Sequence, residues 1–235
     1  MIPKAIFFDL DDTIIAFEAV SDAAWLQVCQ EFAQQTNRFT AIELLESINT
    51  TRAWYWSDPE RHRIGRMNLA GARLALVKMA LEKLGCNDDS YATEIAEKYS
   101  TVRTEMIDFI PGAKATLERL SAANIRLALV TNGTVREQNA KLKRFDLAKF
   151  FQVILIEEQL GFGKPDERVF KLGLDKMQLN ANQAWMVGDN LEWDVAGAQR
   201  VGIYSIWNDY KGKGLPVNSS VKPDRIVNSI SEIVL

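Results

Sequence analysis

The stretch Lys4-Ala-Ile-Phe-Phe-Asp-Leu-Asp-Asp-Thr13 decides the fold of this chain. Its first half is a short apolar run, and aspartates occupy three of the next four positions. A continuous apolar run of this length is typical of a β-strand covered on both faces, as in a parallel sheet. The aspartates then stand at the carboxyl end of the strand, where open parallel sheets bind their ligands. The stretch therefore predicts one strand of such a sheet with an acidic site at its end.

Further apolar runs of strand length lie in the second half of the chain, at residues 125–130, 153–156, 184–187, 203–206 and 224–227. Helical patterns alternate with these runs, at residues 112–122, 135–145, 167–176 and 191–201. Alternation of strands and helices predicts an α/β fold with a mainly parallel sheet.

One region lacks strand runs altogether, from about residue 17 to residue 109. It carries helical patterns instead, at residues 21–35, 42–49, 67–84 and 90–107. We therefore expect an all-helical domain at 17–109, inserted into an α/β domain made of residues 1–16 and 110–235.

Composition excludes several classes of protein. The 235 residues include 28 lysines and arginines against 31 aspartates and glutamates, and no basic block argues for nucleic-acid binding. No apolar run approaches the roughly 18 residues of a membrane span, and the start does not resemble a signal peptide. Two distant cysteines predict free thiols in a cytoplasmic protein, and one histidine rules out a zinc site built on several histidines.

Polar residues follow the predicted strands at the points where the strands end. Like carboxylates a few Å apart cannot all stay ionised without a cation, and hard oxygen ligands suit Mg²⁺. A lysine, a hydroxyl group and turn N–H groups beside such a metal would bind a phosphoryl group. The residues in question are Asp9, Asp11, Asp12, Thr13, Thr131, Asn132, Gly133, Lys164, Asp189 and Asp194.

Four segments in this order resemble the motifs of the haloacid dehalogenase (HAD) superfamily. They are Asp9-Leu-Asp-Asp-Thr13, Thr131-Asn-Gly133, Gly163-Lys-Pro-Asp166 and Gly188-Asp-Asn-Leu-Glu-Trp-Asp194. The resemblance covers residues 1–15 and 110–235, and the helical insertion is similar to the type 1 cap of that superfamily. It implies a Rossmann-like parallel sheet with an all-helical cap. The layout most resembles small-metabolite phosphatases of the N-acylneuraminate-9-phosphatase and pyrimidine nucleotidase-like branch.

The resemblance also implies roles for the two leading aspartates. Asp9 would be the nucleophile that forms an aspartyl-phosphate. Asp11 would be the general acid and base, and its backbone carbonyl would be a metal ligand. Family dehalogenases lack an aspartate at the second position, so Asp11 argues for phosphoryl chemistry.

The remaining motif residues would bind phosphate and metal. The Thr131 hydroxyl, the N–H groups of Asn132 and Gly133, and the Lys164 ammonium would bind the phosphoryl group. The metal ligands of Mg²⁺ would be Asp9, Asp11, Asp189 and Asp194, the last as a direct or outer ligand.

The helical insertion carries arginines and aromatic residues at 52–56 and 61–66. They are compatible with a substrate-recognition loop or with packing between helices. The roles of Asp12 and His62 stay open. Lys78 and Lys83 are the lysines that a phosphonate hydrolase would need, but nothing in the sequence marks either one.

The sequence thus predicts a Mg²⁺-dependent phosphatase acting on a small phosphorylated metabolite, as a monomer or homodimer. A phosphomutase would use the same Asp9 and Asp11. A 2-haloacid dehalogenase and a non-catalytic binding protein are weaker alternatives, because Asp11 counts against the first and the intact motifs against the second.

Overall fold

A computed structural model describes residues 2–36 and 38–233 of the chain. The chain divides into two units, one formed by Met1–Ala16 with Asp108–Leu235 and the other by Phe17–Ile107.

The unit Phe17–Ile107 is helical, and its described residues include no strand. Its helices are α1 (Ser21–Ala33), α2 (Ala41–Ser57), α3 (Pro59–Arg66), α4 (Leu69–Lys83) and α5 (Asp89–Met106).

Helix α2 extends further than the sequence pattern indicated, and α3 was not predicted from the sequence. A capping box starts α2, in which the Thr40 hydroxyl accepts from the Glu43 N–H and the Glu43 carboxylate accepts from the Thr40 N–H. The helix runs past its predicted end, and the Asp58 side chain caps the start of α3 directly afterwards. The segments 52–56 and 61–66 therefore lie in helices and not in a loop.

Large side chains fill the core of this unit. The Trp25 and Tyr99 rings stack with centroids 3.7 Å apart and an interplanar angle of 13°. Cys29 and Cys86 are both buried in the same core as free thiols, as expected. This core takes its helical residues from α1, α2, α4 and α5, and its packing explains why these four helices hold together.

The other unit is built on a six-stranded sheet in the order β3-β2-β1-β4-β5-β6, and every neighbouring pair is parallel. This confirms the predicted α/β class. The strands are β1 (Ala5–Phe8), β2 (Arg126–Thr131), β3 (Val153–Ile156), β4 (Ala184–Gly188), β5 (Tyr204–Asn208) and β6 (Arg225–Val227).

Strand β1 lies in the middle of the sheet. Phe8 stands opposite Leu129 of β2 and Val187 of β4, and all four residues of β1 are buried. Because β1 pairs with both neighbours in parallel, the carboxyl ends of β1, β2 and β4 meet at one edge of the sheet.

Helices pack against this sheet, as its buried apolar strands require. On one face of the sheet, Phe7 of β1 packs in a cluster with Phe170 and Leu174. The helices are α6 (Ala113–Ala122), α7 (Val135–Arg144), α8 (Glu157–Leu160), α9 (Glu167–Met177) and α10 (Gly197–Gln199).

The helix predicted over 191–201 is not one regular α-helix. Residues Leu191–Ala196 form a π-helical turn, and α10 follows it. The wider turn arises because the Asn190 carbonyl accepts from both Asp194 N–H (2.9 Å) and Val195 N–H (3.3 Å). Apolar spacing does not distinguish such a turn from an α-helix.

Candidate active site

The loop after β1 brings its polar residues back over the strand end. The Asp9 N–H donates to the Val187 carbonyl at 2.9 Å and continues the pairing with β4. Asp12 takes a left-handed conformation with φ of 61°, which aspartate tolerates better than most residues. This turn lets the Thr13 hydroxyl donate to Asp9 Oδ2 at 3.3 Å. Asp12 and Thr13 therefore shape the loop that holds Asp9.

Lys164 is the cation at the centre of the site. Its Nζ lies 2.5 Å from Asp9 Oδ1 and 2.6 Å from Asp194 Oδ1, and its side chain is 2% exposed. Burial lowers the pKa of Lys164, but the nearby Asp194 and Asp9 raise it well above its ordinary value. The lysine therefore remains charged between two carboxylates.

The backbone of Lys164 is fixed by the side chain of Asn132. Asn132 Nδ2 donates to the Lys164 carbonyl at 2.7 Å, and the Lys164 N–H donates to Asn132 Oδ1 at 2.8 Å. A Cβ at Gly163 would lie 2.5 Å from the same Asn132 oxygen, so the preceding residue has to be glycine. The asparagine thus ties the second motif to the third, a role that the sequence did not indicate.

The acidic residues carry more negative charge than the lysine offsets. Burial, followed by the charges of Asp194 and Asp11, raises the pKa of Asp9 from 3.8 to about 7, although Lys164 opposes this. Burial and the charges of Asp9, Asp194 and Asp12 raise the pKa of Asp189 from 3.8 to about 9. Such shifts arise where clustered carboxylates carry more negative charge than the nearby lysine offsets.

Three of these carboxylates could share a metal ion. Oxygen atoms of Asp9, Asp189 and Asp194 all lie within 4.8 Å of one another. Both oxygens of Asp194 also accept hydrogen bonds, from Lys164 Nζ at 2.6 Å and from the Asn190 N–H at 2.9 Å. A set of hard carboxylate oxygens fits a divalent cation such as Mg²⁺ better than a soft metal.

The position of Asp194 depends on the glycine that ends β4. A Cβ built on Gly188 would lie only 2.2 Å from the Asp194 carboxylate. The π-helical turn presses Asp194 against this bare backbone, where it reaches Lys164.

In the turn after β2, two groups that the sequence assigned to phosphate binding have hydrogen-bond partners within the protein. The Thr131 hydroxyl lies 2.6 Å from Gln138 Nε2 and accepts its hydrogen bond. The Gly133 N–H, expected to face a phosphoryl group, donates to Glu157 Oε2 at 3.0 Å. Glu157 comes from α8 and is buried, and no sequence pattern had singled it out.

Asp11 points to helix α7. Lys141 Nζ lies 2.8 Å from each of its carboxylate oxygens, and Gln138 Nε2 lies 3.1 Å from Oδ2. Neither α7 residue was a candidate from the sequence. The only signal is their spacing on the helix that follows the Thr131–Gly133 turn.

Arg52 and Arg61 of the helical unit have their hydrogen-bond partners within that unit. Arg52 donates to Asp22 Oδ1 at 3.0 Å and to Glu18 Oε1 at 3.2 Å. The Arg61 guanidinium lies 4.1 Å from the centre of the Trp54 ring and donates to the Trp54 carbonyl. These contacts favour packing as the role of the arginines and aromatic residues.

Other residues that the sequence left open have similar local partners. The His62 ring lies against the Trp56 ring at 5.2 Å. Lys78 forms an ion pair with Asp89 at 2.8 Å, and Lys83 donates to the Thr51 hydroxyl at 2.8 Å.

Comparison with known proteins agrees with this geometry. Residues 3–202 match the family model for haloacid dehalogenase-like hydrolases. The chain therefore belongs to the haloacid dehalogenase-like hydrolase family.

Two characterised relatives and one solved structure are similar along most of the chain. Identity is 30% with the ribulose-1,5-bisphosphate 5-phosphatase of Halopiger xanaduensis, over 87% of this chain and 84% of that protein. It is 26% with the pyrimidine 5'-nucleotidase PynA of Streptococcus pneumoniae, over 100% and 94%. The magnesium-bound HAD hydrolase YfnB of Bacillus subtilis has the same fold, with a TM-score of 0.74 and 24% identity over 99% of this chain and 97% of that one.

Phosphatases and nucleotidases are phosphoric monoester hydrolases, and this chain is an enzyme of that class.

Within the described ranges 2–36 and 38–233, no helix has the length and apolar content to span a membrane.

Proposed function

We propose that the chain is a Mg²⁺-dependent phosphatase that hydrolyses a small phosphorylated metabolite through an aspartyl-phosphate on Asp9. The observation that carries the proposal is the buried Lys164 ammonium, which lies 2.5 Å from Asp9 Oδ1 and 2.6 Å from Asp194 Oδ1. A cation placed this way orients the attacking carboxylate and offsets the charge of a phosphoryl group. The relatives that act on ribulose-1,5-bisphosphate and on pyrimidine nucleotides support a small phosphorylated substrate.

In the first half of the proposed reaction, an Asp9 oxygen attacks phosphorus and the bond to the substrate oxygen breaks. Asp11, in its acid form, gives its proton to the leaving oxygen, so the product leaves as an alcohol. In the second half, water attacks phosphorus and loses its proton to Asp11. Inorganic phosphate leaves, and the Asp9 carboxylate is regenerated.

The groups that would bind the phosphoryl oxygens are the Thr131 hydroxyl, the Asn132 N–H and the Lys164 ammonium. The Gly133 N–H would join them only by giving up its hydrogen bond to Glu157, which measures 3.0 Å.

Mg²⁺ would be held by Asp9, Asp189 and the Asp11 carbonyl, with Asp194 as a direct or outer ligand. Bound there, it would supply positive charge to the clustered carboxylates and to the phosphoryl group. The raised pKa values of Asp9, about 7, and Asp189, about 9, support this assignment, because a cation would replace the protons that these groups otherwise retain.

Phosphate release tests the proposal. The purified protein is incubated with 4-nitrophenyl phosphate and a panel of sugar phosphates, nucleoside monophosphates and phosphorylated acids, with Mg²⁺ or with a chelator. We expect release that requires Mg²⁺, and acid quenching of labelled reactions should leave phosphate on the peptide containing Asp9. A folded protein that releases no phosphate from any compound would refute the proposal.

The cytoplasmic location and a monomeric or homodimeric state are also part of the proposal. Light scattering of the purified protein would distinguish the monomer from the dimer, and a larger assembly would contradict both.

A further inference from the structure

Helix α7 presents two polar side chains to the site from one face. The helix starts directly after the Thr131–Gly133 turn, and the Thr134 hydroxyl caps it by accepting from the Glu137 N–H. Gln138 and Lys141 are three residues apart, so they lie on the same side of the helix. Their shared target is Asp11, the residue assigned above as general acid and base.

Lys141 holds Asp11 by both oxygens. Its Nζ lies 2.8 Å from Asp11 Oδ1 and 2.8 Å from Asp11 Oδ2. The Lys141 side chain is 12% exposed, against 60% for Lys171, which forms an ordinary surface ion pair. Ordering a long lysine side chain costs conformational entropy, and a two-point contact also fixes the rotation of the carboxylate. The contact therefore sets the direction in which Asp11 presents its oxygens.

The amide nitrogen of Gln138 lies close to three hydrogen-bond acceptors. Nε2 lies 2.6 Å from Thr131 Oγ1, 2.8 Å from the Asn132 carbonyl oxygen and 3.1 Å from Asp11 Oδ2. Exchanging the amide oxygen and nitrogen would place an oxygen against a carboxylate and a carbonyl, so this orientation follows from the chemistry. The Thr131 hydroxyl accepts from Gln138 at 2.6 Å and donates its own proton to the Asn132 carbonyl at 3.4 Å. This donated bond is long, so the proton would turn from it to a phosphoryl oxygen when one is bound.

The oxygen of the same amide lowers the stability of the fold. Gln138 is 2% exposed, and its Oε1 accepts no hydrogen bond from the described residues. Buried acceptors normally have partners, and one without a partner calls for an explanation other than stability. The geometry favours a functional explanation, since the nitrogen reaches the two motif residues that handle the phosphoryl group and the leaving group.

We propose that Gln138 and Lys141 are positioning residues for the phosphatase reaction. Lys141 fixes the Asp11 carboxyl group at a set distance from the leaving oxygen. Gln138 sets the direction of the Thr131 hydroxyl proton toward a phosphoryl oxygen. This inference rests on the proposed function, because it assigns both residues to groups of that reaction.

Two aryl phosphates distinguish a role of Lys141 in positioning Asp11 from an unspecific loss of activity. Phenyl phosphate and 4-nitrophenyl phosphate carry the same phosphoryl group, but the first has the more basic leaving oxygen and depends more on proton donation. In Lys141→Met we expect kcat/KM for phenyl phosphate to fall by about tenfold to a hundredfold, and that for 4-nitrophenyl phosphate by only a few-fold. Lys141→Arg should restore most of the loss, because a guanidinium also binds both oxygens of a carboxylate.

Gln138→Met should show a different signature. The two probes share the phosphoryl group that Thr131 binds, so KM should rise about severalfold for both, without a dependence on the leaving group. The midpoint of thermal unfolding should fall only slightly, because removal of the buried acceptor without a partner offsets part of the loss of the Nε2 hydrogen bonds. A residue with a structural role alone would lower the midpoint and leave KM unchanged.

Lys143→Met is the matched control, since Lys143 lies on α7 and is exposed. It should leave both probes within about twofold of the wild type. Equal losses on both probes in Lys141→Met, or no recovery in Lys141→Arg, would overturn the role of Lys141. An unchanged KM in Gln138→Met would overturn that of Gln138. A wild type that hydrolyses neither probe nor any metabolite would overturn the proposed function and this inference with it, whereas an active wild type isolates the inference.

Discussion

The two units of the molecule use charge in opposite ways. In the helical unit, the Arg52 side chain is 15% exposed and pairs with Glu18 and Asp22, whose side chains are 53% and 86% exposed. In the sheet unit, the Lys164 side chain is 2% exposed and pairs with Asp9 and Asp194, at 10% and 1%. Charges near water cost little, whereas buried charges cost several kcal/mol each unless they are well paired.

The difference also extends to polar groups at the ends of elements. In the helical unit, the side chains of Thr40, Asp58, Asn68 and Asp88 cap four helices and satisfy their free N–H groups. In the sheet unit Thr134 caps α7 in the same way, but at the carboxyl edge of the sheet Asp189 follows β4 and its pKa is raised. The comparison teaches that polar residues at helix starts serve stability in both units, while those at the carboxyl edge of the sheet are gathered against their electrostatic preference, as functional sites require.

Removing the nucleophile should give the largest effect. Asp9→Asn should lower phosphate release by about 10⁴-fold or more, because no carboxylate remains to form the aspartyl-phosphate. Phosphate release from 4-nitrophenyl phosphate with Mg²⁺ measures it. Asp22→Asn makes the same change at an exposed residue of the helical unit and should keep activity near that of the wild type. Comparable losses of phosphate release in the two variants would show that the carboxylates of the two units do not differ in their importance for activity.

Removing the central cation should give the largest change in stability. Lys164→Met leaves two buried carboxylates without their partner, which should lower the free energy of unfolding by about 3 to 5 kcal/mol. Arg52→Met, in the helical unit, should cost only about 1 kcal/mol, because its partners can turn to water. Urea unfolding curves give both values. Similar losses would show that burial does not separate the two ion-pair networks.

The pH dependence of stability should come mainly from the sheet unit. The pKa of Asp189 is about 9 in the folded chain against an ordinary 3.8, so the folded protein retains a proton that the unfolded chain releases. Stability of the metal-free protein is then fully present below 3.8 and is lost as pH rises toward about 9, and Asp9 acts in the same direction up to about 7.

Mg²⁺ should counter this loss, because its binding favours the deprotonated carboxylates. The rise in the thermal midpoint on adding Mg²⁺ should therefore be larger at about pH 9 than at about pH 5. Asp189→Asn should flatten the pH dependence without metal and reduce the effect of Mg²⁺. A midpoint that rises with pH in the chelated wild type would contradict the assigned direction.

A pair of asparagines gives the smallest and most local test. Asn132→Ala removes both hydrogen bonds to the Lys164 backbone and should cost about 1 to 3 kcal/mol, since the freed groups are partly buried. Asn49 accepts one hydrogen bond from Arg52 on an exposed helix surface, and Asn49→Ala should cost about 0.5 kcal/mol or less. Chemical denaturation resolves the two. If Asn49→Ala proved the costlier, the tie between the second and third motifs would have no energetic importance.

Sequence reasoning could predict what depends on order along the chain. The apolar runs gave the strands, and the polar residues that end them gave Asp9, Thr131 and Asp189 at one edge of the sheet. It failed for side chains that reach the site from helices. Gln138, Lys141 and Glu157 lie on helices whose rotation is set by packing, so their spacing alone does not indicate what they contact. Lys141 has the sequence pattern of an ordinary surface lysine.

Helix limits were hard to predict for a related reason. The turn at Leu191–Ala196 follows from the double acceptance by the Asn190 carbonyl and from the contact of Asp194 with Gly188, and neither leaves a periodic signal. In the helical unit, Asp58 separates α2 from α3, and the predicted helix over 42–49 stopped short of this cap.

The central place of β1 has a consequence for synthesis on the ribosome. β1 leaves the ribosome before the other described strands of its sheet, yet its two sheet partners are Arg126–Thr131 and Ala184–Gly188. The nascent chain therefore holds an unpaired apolar strand while all of Phe17–Ile107 is translated, and a strand of this kind is exposed to aggregation until its partners arrive. Asp9 is made before the other motif residues, and its surroundings are complete only after the last motif has emerged.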